Sequence, residues 1–262
     1  MFRLSCYLIL LSLPVLAEAE HWAFIPPKSS VLPKVRDSSW VRNEIDQFIL
    51  AKLETEGIVP SKEADRSALV RRLSLDLTGL PPSTNLVLNF IRDDSPKAHA
   101  RLVERLLASP HFGERQAQDW FDLARFADTS GYAADRTRNV WPYRDWVIGA
   151  FNSNMPFNRF SIDQLAGDMV PNSTQEQLVA SAFHRNAMQA KGNNPRKEEF
   201  RIKGIVDRLE TTGRTWLGLT LECAECHDHK HDPISQQEYY ELFAIFNNVP
   251  HLGVGYGVHG PM

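Results

Sequence analysis

The chain has 262 residues and a net charge of -3, from 29 basic and 32 acidic side chains. That balance provides no electrostatic footprint for a nucleic acid, and 43% hydrophobic with 23% charged residues is the composition of an ordinary globular protein. Of its three cysteines, Cys6 lies in the leader and Cys223 and Cys226 stand three positions apart, which excludes a disulfide-built scaffold.

The first stretch reads as a leader. Met1-Phe2-Arg3 is a short basic start, positions 4–16 are almost continuously apolar, and Ala17-Glu18-Ala19 has the small-x-small pattern of a signal-peptidase site. The apolar run is shorter than the ~20 residues a membrane span needs. No later segment is apolar for long enough to cross a membrane either. Residues 1–19 are therefore expected to be a signal peptide and the protein to be periplasmic or secreted. Residues 20–38, with three prolines and no periodicity, form an extended lead-in, and a helical domain over 39–250 follows.

Helical spacing begins with Val41, Ile45, Phe48, Ile49 and Leu53, and Gly57 supplies the stop. Leu69, Val70, Leu73 and Leu77 mark a second helix, closed by Gly79 and the Pro81-Pro82 pair. Ser83 or Thr84 caps a short third helix through Val87 and Phe90. Ser95-Pro96 starts a fourth, because proline in the first turn loses no hydrogen bond, and Leu102, Val103, Leu106 and Leu107 give it a buried face. Amphipathic runs at 111–126, 141–151, 160–165 and 175–183 follow, with a polar loop at 131–139. A long helix at about 197–216 precedes the cysteines. After them Ser235 and Glu238 fit a capping box leading into Tyr239, Leu242, Phe243 and Phe246. No alternating run of strand length stands out. The expected fold is all-α, an irregular bundle of roughly nine helices with long loops, ending in a flexible tail at 251–262.

The strongest chemical signal is Cys223-Ala224-Glu225-Cys226-His227. Two thiols three residues apart on one turn can form thioethers with the two vinyl groups on a porphyrin edge, and the next histidine then meets the iron from the same side. His227 is the metal ligand in this reading and haem c the cofactor. Two alternatives stay open. A bare Cys-x-x-Cys can be a dithiol or disulfide pair, although such pairs usually open a helix within a βαβ pattern that is absent here. Zinc or another divalent metal is the other, because Cys223, Cys226, His227, His229 and His231 form a dense donor cluster, although structural zinc usually takes its second ligand pair from a separate segment. For the sixth position of a haem iron, Met188 and His184 lie on a separate upstream segment, and Met188 is the better candidate. A methionine in that place more often fills a core gap at a helix end.

A second constellation holds Asp122, Arg125, Asp128, Tyr132, Asp135, Arg138, Tyr143, Arg144, Asp145 and Asp168. Carboxylates among arginines and aromatics suit a sugar pocket or a hydrolytic pair, or equally the ion pairs that hold helices together.

Seven blocks in order carry a family resemblance: 21–24 (HWAF), 72–82 (RLSLDLTGLPP), 107–115 (LASPHFGER), 143–148 (YRDWVI), 164–168 (QLAGD), 207–212 (DRLETT) and 223–234 (CAECHDHKHDPI). They resemble the planctomycete cytochrome-associated domain family of unknown function, and span nearly the whole chain after the leader. That resemblance implies export, an association with haem, and a place as a middle module of larger exported proteins, often after a cytochrome c-like module. It supplies no substrate. Three departures stand out: His231 replaces a usual aromatic, 191–195 (KGNNP) replaces a more acidic, glycine-paired segment, and neither flanking module is present in these residues. The leading expectation is an exported c-type haem protein for electron transfer or redox sensing, acting with a redox partner or cytochrome module. A carbohydrate-related hydrolase or binding module with a non-haem metal, using Asp122, Asp128, Asp135 and Asp168, is one alternative. A scaffold that docks a separate cytochrome is another.

Overall fold

The computed structural model describes residues 22–132, 135–191, 196–248 and 254–255. Residues 1–19, expected to be a signal peptide, and all of the expected tail except 254–255 lie outside the described residues. The fold is all-α, with ten α-helices among the described residues. The chain divides into two units, 1–63 and 64–262.

The first unit carries a 3-10 turn at Trp22–Phe24 and helix α1, Glu44–Thr55. Asn43 caps α1 by accepting from the Asp46 amide, and Asp46 accepts in return from Asn43, so two otherwise free donors are satisfied reciprocally. The lead-in is tied to the helix end: the amides of Arg36 and Asp37 both donate to the Glu54 carboxylate, at 2.9 and 3.2 Å.

The second unit holds α2 (Arg66–Thr78), α3 (Thr84–Arg92), α4 (Ala98–Leu107), α5 (Pro110–Leu123), α6 (Trp141–Asn152), α7 (Phe157–Ala166), α8 (Gln175–Ala180), α9 (Lys197–Thr212) and α10 (Gln236–Asn247). Their starts and stops follow local chemistry. Ser83, Ser109 and Ser235 cap α3, α5 and α10, Pro110 opens α5, and Gly79 ends α2 in the left-handed conformation that a Cβ disfavours. Ser95-Pro96 does not cap α4. The Ser95 hydroxyl accepts from Arg101 instead, and the Ala98 amide donates to Ser95 O, so a turn precedes the helix. The runs expected at 175–183 and 197–216 each change form before their end: α8 passes into a 3-10 turn at Ser181–Arg185 and α9 into a π turn at Gly213–Leu217. One parallel pairing joins β1 (Ala190–Lys191) to β2 (Val254–Gly255). Two residues are too few to leave an alternating pattern in a sequence.

Three larger apolar clusters and a small one of Ala190 and Phe200 hold this unit among the described residues. Val70, Phe90, Ala98, Leu102 and Leu106 join α2, α3 and α4. Trp120, Tyr143, Val147, Phe160 and Phe183 centre the second, across α5, α6, α7 and the 3-10 turn after α8. Helices α5 and α6 come unusually close at Gly113, where a Cβ would stand 2.5 Å from the Ile148 carbonyl oxygen. Inside this cluster the polar atoms satisfy one another: Trp120 Nε1 donates to Tyr143 Oη and Gln164 Oε1, and Tyr143 donates to the same Gln164 oxygen at 2.7 Å. The third cluster, Leu209, Leu221, Ala224 and Tyr239, lies under the cysteines.

Candidate haem-attachment site

The cysteine turn is built by the way α9 ends. The π turn closes at Gly218, whose φ of 67° reverses the chain. Leu221 is then brought back onto Gly213, so tightly that a Cβ there would meet Leu221 Cδ1 at 2.6 Å. Its amide donates to Glu210 Oε2 of α9 at 3.2 Å. The next residues form a 3-10 turn, Glu222–Glu225, that buries Ala224 beneath it and leaves Cys223 and Cys226 exposed as free thiols.

The loop after the turn is held by its own polar groups. His227 Nδ1 donates to the Asp228 carbonyl at 2.7 Å, a bond that fixes the tautomer with its lone pair on Nε2. Asp228 Oδ1 accepts from the Gln236 amide, and Gln236 Nε2 and Tyr240 Oη both donate to the Glu225 carbonyl. His229 is not available in the same way. Its side chain is only 6% exposed, and Nδ1 accepts the amides of Asp232 at 2.8 Å and His231 at 3.3 Å. Held by these two amides and 3.4 Å from Asp232 Oδ2, the ring braces the loop from inside. His231 is exposed. Among the described residues, no three His, Cys, Asp or Glu side chains gather as a metal site requires.

The donor set fits a covalently attached haem. Both thiols are free and exposed on one turn, and the adjoining imidazole has one nitrogen held by a backbone carbonyl and the other open, the usual state of a metal-ligating histidine. The aromatic ring of Tyr240, half exposed and bonded to Glu225, borders the same turn.

The candidates for the sixth position lie elsewhere in the unit. Met188 is 57% exposed, and its side chain rests on Gly131, where a Cβ would meet its Sδ at 2.8 Å. The Gln189 amide donates to Ser130 O, so this segment is tied to the 129–137 loop. His184 lies between Phe183 and Phe246, with Nε2 donating to the Leu165 carbonyl and Nδ1 buried without a partner. Burial pushes its pKa down to about 4, against the opposing effect of that hydrogen bond.

The second constellation is mostly architecture. Arg138 spreads its guanidinium over the carbonyls of Ala127, Arg185, Asn186 and Ala187, and Arg125 pairs with Asp207 of α9. Asp135 accepts from the Gly131 amide and from Thr129, which hold its carboxyl below the usual range. Arg144 pairs with Asp145, and Tyr143 belongs to the core. Tyr132 packs edge-on against Phe200 at 5.2 Å. Asp122, Asp128 and Asp168 are exposed on separate segments: the end of α5, the loop after it, and the turn after α7.

Sequence reasoning missed Glu210, and placed Tyr239 only as the first residue of an apolar run on the last helix. Glu210 is 5% exposed, in a helical run whose neighbours Arg208, Leu209 and Thr211 are also buried. Burial, with Glu222 nearby, pushes its pKa up to about 7, against the Leu221 amide and Arg214. Tyr239 is fully buried and its phenol is pushed up by burial, then by Glu225 and Glu210. The signal lay in the phase, since a glutamate directly after a core leucine on a helix is a candidate for burial.

The fold and the turn together define a helical domain presenting a Cys-x-x-Cys-His loop at its surface. Residues 44–251 match the family model PSCyt2, a protein of unknown function (DUF1549), and the chain belongs to this planctomycete cytochrome-associated family. Comparison with the curated proteins and with the solved structures gives no significant match.

Proposed function

We propose that this domain is an exported c-type haem-binding module with an electron-transfer or redox role, working beside a cytochrome module or another redox partner. One observation carries the reading: both thiols are free and exposed on a single turn whose next residue, His227, keeps Nε2 open. Each thiol would add across one vinyl group, sulfur bonding to one carbon and the thiol hydrogen passing to the other, so no atom leaves and no oxidant is needed. Haem, once attached, supplies reversible one-electron chemistry. Leu221, Ala224 and the hydrogen bonds to Glu225 hold the turn in place, and Asp228 orients the His227 ring. No helix among the described residues is long and apolar enough to cross a membrane, and the leader pattern supports a periplasmic or secreted location, the compartment where such attachment takes place.

The test is an absorption spectrum and an intact mass of protein exported with haem-attachment machinery present. The expected result is a Soret band that stays with the polypeptide after acid-acetone extraction, and a mass increased by one haem. A colourless polypeptide of unmodified mass would overturn the reading.

A further inference from the structure

Beneath the cysteine turn lies a polar pair that the attachment chemistry does not use. Glu210 spends Oε2 on the Leu221 amide, two residues before Cys223, while Oε1 is buried with no partner. The Tyr239 hydroxyl is also buried with no partner, in the apolar cluster that packs Leu221 and Ala224 against α10. A carboxyl in this position is expensive to ionise and expensive to leave half satisfied. The groups facing it do not settle its charge. Arg214 from the π turn favours the anion but is drawn to Glu222, with which it forms an ion pair. Glu222 on the cysteine turn opposes the anion, and Tyr239 on α10 offers a neutral hydroxyl. The backbone amide of Leu221 stabilises the anion from the turn itself.

We propose that Glu210 is a positioning residue that exchanges its proton in step with the oxidation state of the group held by Cys223, Cys226 and His227. This rests on the haem reading above. The physical reason is charge balance. Haem held by Cys223, Cys226 and His227 would lose one positive charge on taking up an electron from a one-electron donor, and Glu210, tied to the same turn through the Leu221 amide, would then bind one proton from solvent. On oxidation the carboxyl releases that proton. One electron and one proton enter or leave together, and the net charge of the buried region is unchanged.

The experiment is a spectroelectrochemical titration of the haem-loaded full chain at several pH values, beside the Glu210→Gln and Glu222→Gln variants. In the wild type the midpoint potential is expected to fall as pH rises between about 6 and 8, because the proton that accompanies the electron becomes scarcer. Glu210→Gln, which keeps an acceptor for the Leu221 amide, should flatten that dependence. Glu222→Gln, a change at an exposed side chain, should retain the slope and move it to lower pH, because the charge opposing the Glu210 anion is gone. A carboxyl stretching band in the infrared difference spectrum on reduction, absent in Glu210→Gln, gives a second readout. Coloured protein with a flat wild-type potential, or with an unchanged slope in Glu210→Gln, overturns this inference and leaves the haem reading standing. Colourless protein overturns both.

Discussion

The core formed by α5, α6 and α7 and the segment from α9 to α10 bury polar groups in opposite ways. In the first, Trp120, Tyr143 and Gln164 close a set of hydrogen bonds within an aromatic cluster. In the second, Glu210 Oε1 and Tyr239 Oη are buried without partners, and the reactive side chains above them face solvent. A satisfied network specifies one packing and adds stability, whereas an unsatisfied one stores a penalty that function can use. The first region holds the domain together. The second presents the Cys-x-x-Cys-His loop at the surface.

The largest effect should come from removing the centre of the first region. Trp120→Ala is expected to cost about 3–5 kcal/mol, as for a large aromatic lost from a packed core, measured by urea denaturation. Gln164→Leu should cost about 1–3 kcal/mol, because it removes the shared acceptor of the Trp120 and Tyr143 donors. If it proves neutral, the contrast between the regions fails. Gly113→Ala should cost roughly 1–3 kcal/mol through overpacking against the Ile148 carbonyl.

The pH dependence of stability separates two groups of opposite sign. Glu210 keeps its proton in the folded chain up to about 7 and loses it at 4.5 when exposed, so its contribution to stability declines as pH rises through that window. His184 stays neutral down to about 4 in the fold but protonates near 6.5 when exposed, so its contribution is lost as pH falls through that range. Melting temperatures across this range should show Glu210→Gln removing the first trend and leaving the second. The smallest effect belongs to the double change Cys223→Ser with Cys226→Ser. Both side chains are exposed, so the stability of the haem-free polypeptide should move by less than about 0.5 kcal/mol. The mass increase and the colour should vanish altogether.

Much of the fold was legible residue by residue. Ser83, Gly79 and the Ser235–Glu238 box act where capping chemistry places them, because a cap is satisfied within four residues of chain. Ser95 misled because its hydroxyl answers to Arg101, a partner six residues further on. The Cys-x-x-Cys-His motif stands out in the sequence for the same local reason as the caps, since both thiols and the imidazole lie within five residues. The histidine cluster was not. His229 became a buried brace only through the fold of the loop around it, which brings the Asp232 amide onto its ring.

By itself the sequence determined the helical class, most helix ends and the family, since these depend on periodicity and neighbours along the chain. Only the tertiary structure decided which of those side chains are spent and which are free. Arg138 became a strut on distant carbonyls, His227 kept an open nitrogen, and Glu210 was sealed under the cysteine turn by a chain reversal at Gly218. Burial and hydrogen-bond partnership arise from segments far apart in the chain, and they set whether a polar group holds the fold or serves the site.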